Sequence, residues 1–484
     1  MSFITYTITI GLGGPKMLIR FAVENYNSFK ERQIFSMVAG KQTRHPSHCV
    51  TVNGKRLLKS SFFFGANASG KSNFVRALDF MRRVTLIGVK AIRYNDRFFR
   101  IDSKYKEKPG IFQIDFIVEN IVFSYGFAIN YLTREFCTEW LYRLDSSGKE
   151  TCIFDRKQGE TIITGLQLNK ISKLRFNIYC EDLKADELLL YEIGNKKLDK
   201  DSALYDFIVA YEWFKNLIVV YPDSHTHNKN DFFLNPTFDT DSMIDMLRAF
   251  DTGIEKITKG KQPAEKAFSF LPEQVKNDIL DDIEQTMKDN LQNQARCKIE
   301  IGNYQFEISI ENGEIFAEKI MLNHGNPKEL FELSDESDGT KRLFDYPAEE
   351  LLCRSARSAS LHPVWTGLRL GRSGCCGAVP LNLDADRSFH SKLTEEYIKR
   401  FFEITKEHSC QLICTTHDLN LMDLQILRQD EIWFVERESD HSTRIYSLSD
   451  YKQRFDKNIL NDYLIGRYGA IPYFQDNEWQ VNDK

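Results

Sequence analysis

An α/β fold is what this sequence predicts, and three observations predict it. An apolar run, Leu57–Phe64 (LLKSSFFF), leads through a glycine-containing turn into a helical pattern over about 71–83. Alternating apolar and polar residues recur from Gly110 to Leu144, split by Glu119-Asn120 and Asn130, which reads as an antiparallel β-meander. Two buried strands follow late in the chain, at 410–418 (CQLICTTHD) and 431–438 (EIWFVERE). A sheet core assembled from the two ends of the chain, with an antiparallel β-lobe between them, accounts for all three.

The 484 residues are too many for one ordinary domain. At roughly 150 residues per domain they make two or three units, or one large core with an insertion. Hydrophobic residues at 42% and charged residues at 27% are close to the globular average, which excludes a disordered or fibrous chain. Lys+Arg at 64 against Asp+Glu at 69 leaves a net charge of -5, so no polybasic nucleic-acid coat is present, although a local basic groove fits within that balance. No stretch reaches about 18 consecutive apolar residues, so no transmembrane helix and no membrane partner are expected. The N-terminus lacks the basic and apolar regions of a secretory signal, and the ten cysteines include no CxxC pair. Reduced thiols and a cytoplasmic location are therefore expected.

Residues 1–16 read as an appendage that packs poorly, with Met17 as the natural start. From Met17, MLIRFAVENYNSF alternates as an edge or antiparallel strand. Residues 17–182 are expected to form the N-terminal half of the core with its β-lobe. Residues 183–296 carry helical periodicity without sustained heptads, which predicts a compact helical insertion rather than a coiled-coil arm. Strand alternation returns at 297–320 with an Asn-Gly turn at 312–313, opening a C-terminal half that runs over 297–484.

The strongest chemical signal is Gly65-Ala66-Asn67-Ala68-Ser69-Gly70-Lys71-Ser72, followed by Asn73. It fits GxxxxGK[ST] between an apolar strand and a helix, the context a phosphate-binding loop requires. Glycines let the backbone turn its N–H groups inward, the lysine supplies a point charge to the β/γ-phosphates, and Ser72 offers a hydroxyl to Mg²⁺. The expected ligand is ATP with Mg²⁺, held by Gly65, Asn67, Ala68, Ser69, Gly70, Lys71, Ser72 and Asn73. A second signal, Ser337-Asp338-Gly339-Thr340, follows the strand-like run Phe331–Leu333. Its residues Ser337, Gly339 and Thr340 would present a hydroxyl, N–H groups and a helix N-terminus to a γ-phosphate; an ordinary N-cap is the plainer reading. A third, Thr415-Thr416-His417-Asp418, ends a buried strand where nucleotide sites of parallel sheets form, and a neutral His417 there could hydrogen-bond a phosphate or a water.

Together these residues resemble the ABC-type ATPase heads of the RecF/SMC/OLD group, most closely the AAA-family ATPases of bacterial anti-phage and abortive-infection loci. The resemblance rests on FAVENYNSF (21–29), GANASGKSN (65–73), SDGTKRLFD (337–345), DRSFHSKLT (386–394), CTTHDLNLMD (414–423) and GRYGAIPYF (466–474), in the family's order. It implies that Ser337-Asp338-Gly339-Thr340 is the signature motif, His417 the switch histidine and Ser388-Phe389-His390 part of the D-loop. It also implies a homodimer in which each ATP lies between Lys71 of one head and Ser337 of the other.

One part of that pattern is broken. The family's Walker B strand ends in Asp-Glu before Asp-Arg-Ser; the Asp holds Mg²⁺ and the Glu polarises water. Here the stretch reads Val379-Pro380-Leu381-Asn382-Leu383-Asp384-Ala385-Asp386-Arg387-Ser388. Counted back from Asp386-Arg387-Ser388, the magnesium position is Leu383 and the catalytic one Asp384; counted forward, Asp384 is the magnesium ligand and Ala385 stands at the catalytic position. Either way one carboxylate is missing, and Pro380 would disturb a central strand. The defect abuts residues 346–383, which contain no Lys, Ile, Phe or Asp but hold three of the ten cysteines. That stretch reads either as a surface insertion or as translation out of frame. Intact ATP binding with impaired hydrolysis is the expectation.

Lesser groups read as structural: His225 and His227 with Asp223 as a polar loop, His45, His48 and Cys49 without a second ligand pair, and Asp115 and Glu119 as a solvent face. The family resemblance implies a nucleotide-dependent switch in defence with a separate effector, such as a Toprim/RloB-like nuclease. The stretch after His417 is too short for a Toprim domain of its own. A RecF-like DNA-repair ATPase, with DNA as partner, and a non-hydrolysing nucleotide-binding scaffold are the alternatives.

Overall fold

The computed structural model describes residues 16–88, 96–118, 120–145, 147–217, 219, 240–289, 297–301, 304–311, 314–326, 329–343, 391–406, 409–451 and 458–471. The expected appendage (but for residue 16), the Asn-Gly turn at 312–313, residues 346–383, Asp384, the D-loop residues 388–390 and the 223–227 loop lie outside them. The chain divides into two units, Met1–Ser224 with Leu352–Lys484 and His225–Leu351.

In the first unit, six strands form an antiparallel sheet in the order β2-β1-β6-β7-β8-β9. They are β1 (Lys16–Glu24), β2 (Gln33–Ser36), β6 (Gly110–Val118), β7 (Ile121–Ile129), β8 (Phe136–Leu144) and β9 (Glu150–Lys157). The expected meander is β6–β8, lengthened by β9. β1 is not an edge strand, because β2 and β6 flank it on both sides. The hairpin β3 (Cys49–Val52) and β4 (Lys55–Leu58) turns at Asn53 and Gly54, both at positive φ (47° and 68°), as a two-residue turn of type I′ demands. Leu57 of this hairpin joins Met17, Ile19 and Ile117 in a small core on one face of the sheet.

The run Leu57–Phe64 is therefore two strands, not one. β5 (Ser60–Phe64) enters a second sheet of order β15-β5-β16-β17, with β15 (Leu412–Thr415), β16 (Ile432–Arg437) and β17 (Thr443–Ser447). β15 and β16 run parallel to β5 on either side, while β17 is antiparallel to β16. All five residues of β5 (SSFFF) are buried, as in a parallel strand covered on both faces. Helix α1 (Lys71–Ile87) follows, its buried face carrying Phe74, Ala77, Leu78 and Met81 at helical spacing. Rings from four elements meet here: Phe63 lies 4.5 Å from Phe74 and 5.1 Å from Phe35, and Phe35 lies 5.0 Å from Trp433.

Three helices pack on the β-lobe, and the last two of them fall in the stretch 183–296 that the sequence groups with an insertion. The three are α2 (Lys170–Glu181), α3 (Leu189–Gly194) and α4 (Tyr205–Lys215). Phe207 of α4 stacks on Phe154 of β9, and Trp213 stacks on Phe116 of β6 at 4.4 Å. Glu139 of β8, fully buried, accepts the Leu189 and Leu190 N–H groups at 2.7 and 3.1 Å, so a strand carboxylate satisfies the start of α3. Burial holds the Glu139 pKa above its ordinary value despite Arg156 at 3.7 Å. Apolar burial, not helical periodicity, sets this boundary.

The second unit is mixed, and the stretch 183–296 expected to be helical contributes one strand to it, Lys256–Pro263. Its antiparallel sheet has the order β10-β13-β12-β11, from β10 (Lys256–Pro263), β11 (Cys297–Ile301), β12 (Tyr304–Glu311) and β13 (Glu314–Asn323), with β14 (Phe331–Glu332) paired to β13. Its helices are α5 (Thr240–Ala249), α6 (Ala264–Ala267), α7 (Glu273–Asp289) and α8 (Asp338–Leu343). Phe268, Ile283, Phe306, Ile308 and Ala317 form its own core. The periodicity of α7 is amphipathic because one face closes this sheet. Back in the first unit, α9 (Ser391–Ile404) and α10 (Ile459–Leu464) complete the described helices.

Replacing Phe63 by Ala removes the ring shared by β2, α1 and β16, and the expected cost is about 3–5 kcal/mol. Denaturant unfolding of the whole chain, followed by tryptophan fluorescence, reads it; an unchanged midpoint would contradict a core shared between the two sheets.

Candidate nucleotide-binding site

The order of strands brings two of the three sequence signals together, the loop at 65–73 and Thr415–Asp418. β15 and β5 pair in parallel with Thr415 opposite Phe63, so the segments after them leave the same edge of the sheet. The loop 65–70 leaves β5 there, and Thr416-His417 leaves β15, with the Thr416 N–H bonded to Phe63 O at 3.0 Å. On the other flank β16 pairs Phe434 with Phe64, which sets Val435 beside Gly65.

Two glycines of the loop have no substitute. A Cβ on Gly65 would lie 2.2 Å from Val435 O, and one on Gly70 would lie 2.1 Å from Thr443 Oγ1. Gly70 also adopts a φ of 116°, closed to side chains that carry a Cβ. Ala68 reaches φ 61° at the exposed tip, a left-handed conformation that costs on the order of 1 kcal/mol for a non-glycine residue. Lys71 is buried and donates from Nζ to Gly65 O at 2.7 Å and Ala66 O at 3.1 Å, so its charge sits inside the loop. Ser69 is buried, and its hydroxyl finds no hydrogen-bond partner among the described residues. Ser72 and Asn73 are half-buried, and Asn67 is exposed.

His417 lies within electrostatic reach of Lys71. Burial first, and then the Lys71 charge, lowers its pKa to about 4. The imidazole is neutral near pH 7 and can either accept or donate a hydrogen bond. The following turn is fixed by Asp418, which accepts from Asn420 N at 3.1 Å, while Asn420 Nδ2 reaches Ser391 Oγ at the start of α9 at 3.0 Å.

Ser337, Gly339 and Thr340 lie in the second unit. Ser337 Oγ accepts the Thr340 N–H at 3.1 Å and meets Thr340 Oγ1 at 2.9 Å, capping α8, so this hydroxyl does the work of an ordinary N-cap. Asp384 falls outside the described residues. His48 pairs with buried Glu431 at 2.9 Å and His45 reaches Leu424 O at 3.0 Å, both structural roles. Among the described residues no group of three or more His, Cys, Asp or Glu could hold a metal ion. No described helix is long and apolar enough to cross a membrane.

Three segments that hold the loop carry no role in the sequence reading. Ser28 Oγ lies 2.7 Å from both Asn73 Nδ2 and Thr443 Oγ1. Thr443 Oγ1 donates to Ser69 O at 2.8 Å, and Ala470 O accepts the Ala66 N–H at 3.1 Å. Ser28 and Ala470 fall inside FAVENYNSF and GRYGAIPYF, so the signal for them was present; Thr443 sits in no motif.

These groups fit a nucleoside triphosphate. The main-chain N–H groups at the start of the 17-residue α1, the Lys71 ammonium and the buried Ser69 hydroxyl suit phosphate oxygens, and Ser72 is the hydroxyl available to Mg²⁺. The family described as "AAA domain, putative AbiEii toxin, Type IV TA system" matches residues 60–348, more than half of the chain. The chain belongs to this AAA family. The matched span of this AAA protein opens at β5 and includes the loop and α1. Among solved structures, the SMC head domain from Thermotoga maritima is similar at 13% identity, covering 89% of this chain and 98% of that one with a TM-score of 0.32. No curated protein matches the chain.

His417 provides a pH test. Its pKa is about 4 when folded against an ordinary 6.5, so the unfolded chain binds the extra proton between these values. Its share of stability is complete above pH 6.5 and falls as the pH drops towards 4. Unfolding midpoints of wild type and His417→Asn are expected to converge as the pH falls through that window; parallel curves would contradict the half-buried neutral imidazole.

Proposed function

We propose that this AAA protein is an ABC-type ATPase head that binds ATP with Mg²⁺ and acts as a nucleotide-dependent switch. One observation carries the reading: a strand–loop–helix with two positions closed to any Cβ, a buried lysine inside the loop and a neutral histidine beside it. Lys71 and the N–H groups of 66–73 would bind the β/γ-phosphates, and His417 would meet the γ-phosphate or a water. Ser72 and Asp384 would hold Mg²⁺, which when bound neutralises phosphate charge. A homodimer with ATP between Lys71 of one head and Ser337, Gly339 and Thr340 of the other follows from the ABC-type reading. The family's name, with its abortive-infection toxin, favours defence with a separate effector, such as a Toprim/RloB-like nuclease, in the cytoplasm.

A second reading has its own observation. The stretch 379–388 offers one carboxylate where two are needed, so slow or absent hydrolysis, and at the limit a non-hydrolysing scaffold, is the expected behaviour of this chain. A RecF-like DNA-repair role draws no support from a net charge of -5.

Equilibrium binding and steady-state turnover of MgATP test both readings. Wild type is expected to bind with little turnover, Lys71→Ala to lose at least about tenfold in affinity, and Leu383→Asp with Asp384→Glu to gain turnover. Affinity unchanged by Lys71→Ala would overturn nucleotide binding at this loop. Robust turnover by wild type would place the catalytic carboxylate elsewhere.

A further inference from the structure

Four polar groups from three distant parts of the chain form one line behind the phosphate-binding loop. Asn73 Nδ2 lies 2.7 Å from Ser28 Oγ, Ser28 Oγ lies 2.7 Å from Thr443 Oγ1, and Thr443 Oγ1 lies 2.8 Å from Ser69 O. Each hydroxyl has one proton, and Thr443 Oγ1 is the donor both to Ser28 Oγ and to Ser69 O. Ser69 O can only accept and the Asn73 amide N–H can only donate. Asn73 therefore donates to Ser28, and Thr443 Oγ1 directs its proton between two acceptors, Ser28 Oγ and Ser69 O. Thr443 is only 2% exposed, so its hydroxyl has little access to water as an alternative partner.

The two ends of this line are the two halves of the loop–helix junction. Ser69 O belongs to the peptide whose N–H is that of Gly70, and Asn73 stands in the first turn of α1. Both must keep their orientation for the N–H groups of 69–73 to face a phosphate. Thr443 also stands against the α-carbon side of Gly70, where a Cβ would strike its Oγ1 and Cγ2. A separate main-chain bond, Thr443 N to Ser28 O at 2.7 Å, holds the two strands together whatever the side chains are. The hydroxyls are thus not needed to join β17 to the β1–β2 turn; their partners are the loop and α1.

We propose that Ser28 and Thr443 are positioning residues for nucleotide binding: their hydroxyls link Asn73 to Ser69 O in one hydrogen-bonded line and so set the orientation of the Ser69–Gly70 peptide. This rests on the reading that the loop binds a nucleoside triphosphate. Neither residue touches the phosphates; both act through the loop backbone. Because this relay is one line, breaking it at either hydroxyl interrupts the whole, so the two losses do not add.

MgATP affinity of the full-length protein is measured for wild type, Thr443→Val, Thr443→Ser, Ser28→Ala and the double variant Ser28→Ala/Thr443→Val, beside nucleotide-free thermal unfolding of each. Val keeps the shape of Thr and removes the hydroxyl; Ser keeps the hydroxyl. The expected result is about a tenfold loss of affinity for Thr443→Val, affinity within about twofold of wild type for Thr443→Ser, and a double variant no weaker than the weaker single one. Wild-type affinity in Thr443→Val and Ser28→Ala, or a loss in Thr443→Ser equal to that in Thr443→Val, would overturn the relay. Should Thr443→Val fail to fold, Ser28→Ala, at a half-exposed site, decides alone by the same criterion. Lys71→Ala separates the two readings: if wild type binds and Lys71→Ala does not while the hydroxyl variants bind normally, the relay alone fails; if wild type binds no nucleotide, nucleotide binding and the relay fail together.

Discussion

The loop at 65–70 is confined by chain from three sides, and the rest of the first unit is arranged around that confinement. Val435 O stands 2.2 Å from where a Gly65 Cβ would be, and Thr443 occupies the space beside Gly70. Ala470 O holds the Ala66 N–H at 3.1 Å. A loop this tightly bounded has little backbone entropy left to lose when an anion enters, which is how a flexible-looking glycine sequence becomes a preorganised phosphate cradle. The cost is carried by the left-handed Ala68 and by a buried lysine, whose charge is satisfied by the loop's own carbonyls.

Parallel pairing converts that local constraint into a site. Because β15 and β16 flank β5 in the same direction, His417 leaves the end of β15 on the loop's side of the sheet and β16 sets Val435 beside Gly65. The same Lys71 charge that would meet a phosphate also helps to keep His417 neutral, so the two groups are matched electrostatically before any ligand is bound. The antiparallel β-lobe contributes differently. Its β1–β2 turn brings Ser28 to the first turn of α1, and its aromatic residues share a core with Phe63 and Phe74.

Much of this was legible in the residues. The glycines, Lys71 and Ser72 announce the loop because their spacing is dictated by backbone geometry at a strand–helix junction, and the β-meander announces itself by strict alternation. The domain boundary was not legible: α3 and α4 have the same periodicity as a free-standing helical bundle, and the burial of Trp213 and Phe207 of α4 against the β-lobe assigns them to it. β11–β13 fall in the stretch read as strands, but β10 (KITKGKQP) was hidden within the stretch read as helical, because it lacks apolar alternation and its partner β13 lies far away in sequence. Thr443 was invisible for a related reason, since a hydroxyl in an ordinary strand gains its meaning from Ser28 and Ser69, which lie hundreds of residues away.

Hydrogen exchange of the full-length chain with and without MgATP tests the central claim most directly, because it reads the loop backbone itself. Slower exchange is predicted at the amides of 66–73, with smaller protection around Ser28 and Thr443 and little change in the far strands β8 and β9 of the lobe. Unchanged exchange across 66–73 at saturating MgATP would contradict the assignment of this loop as the phosphate cradle.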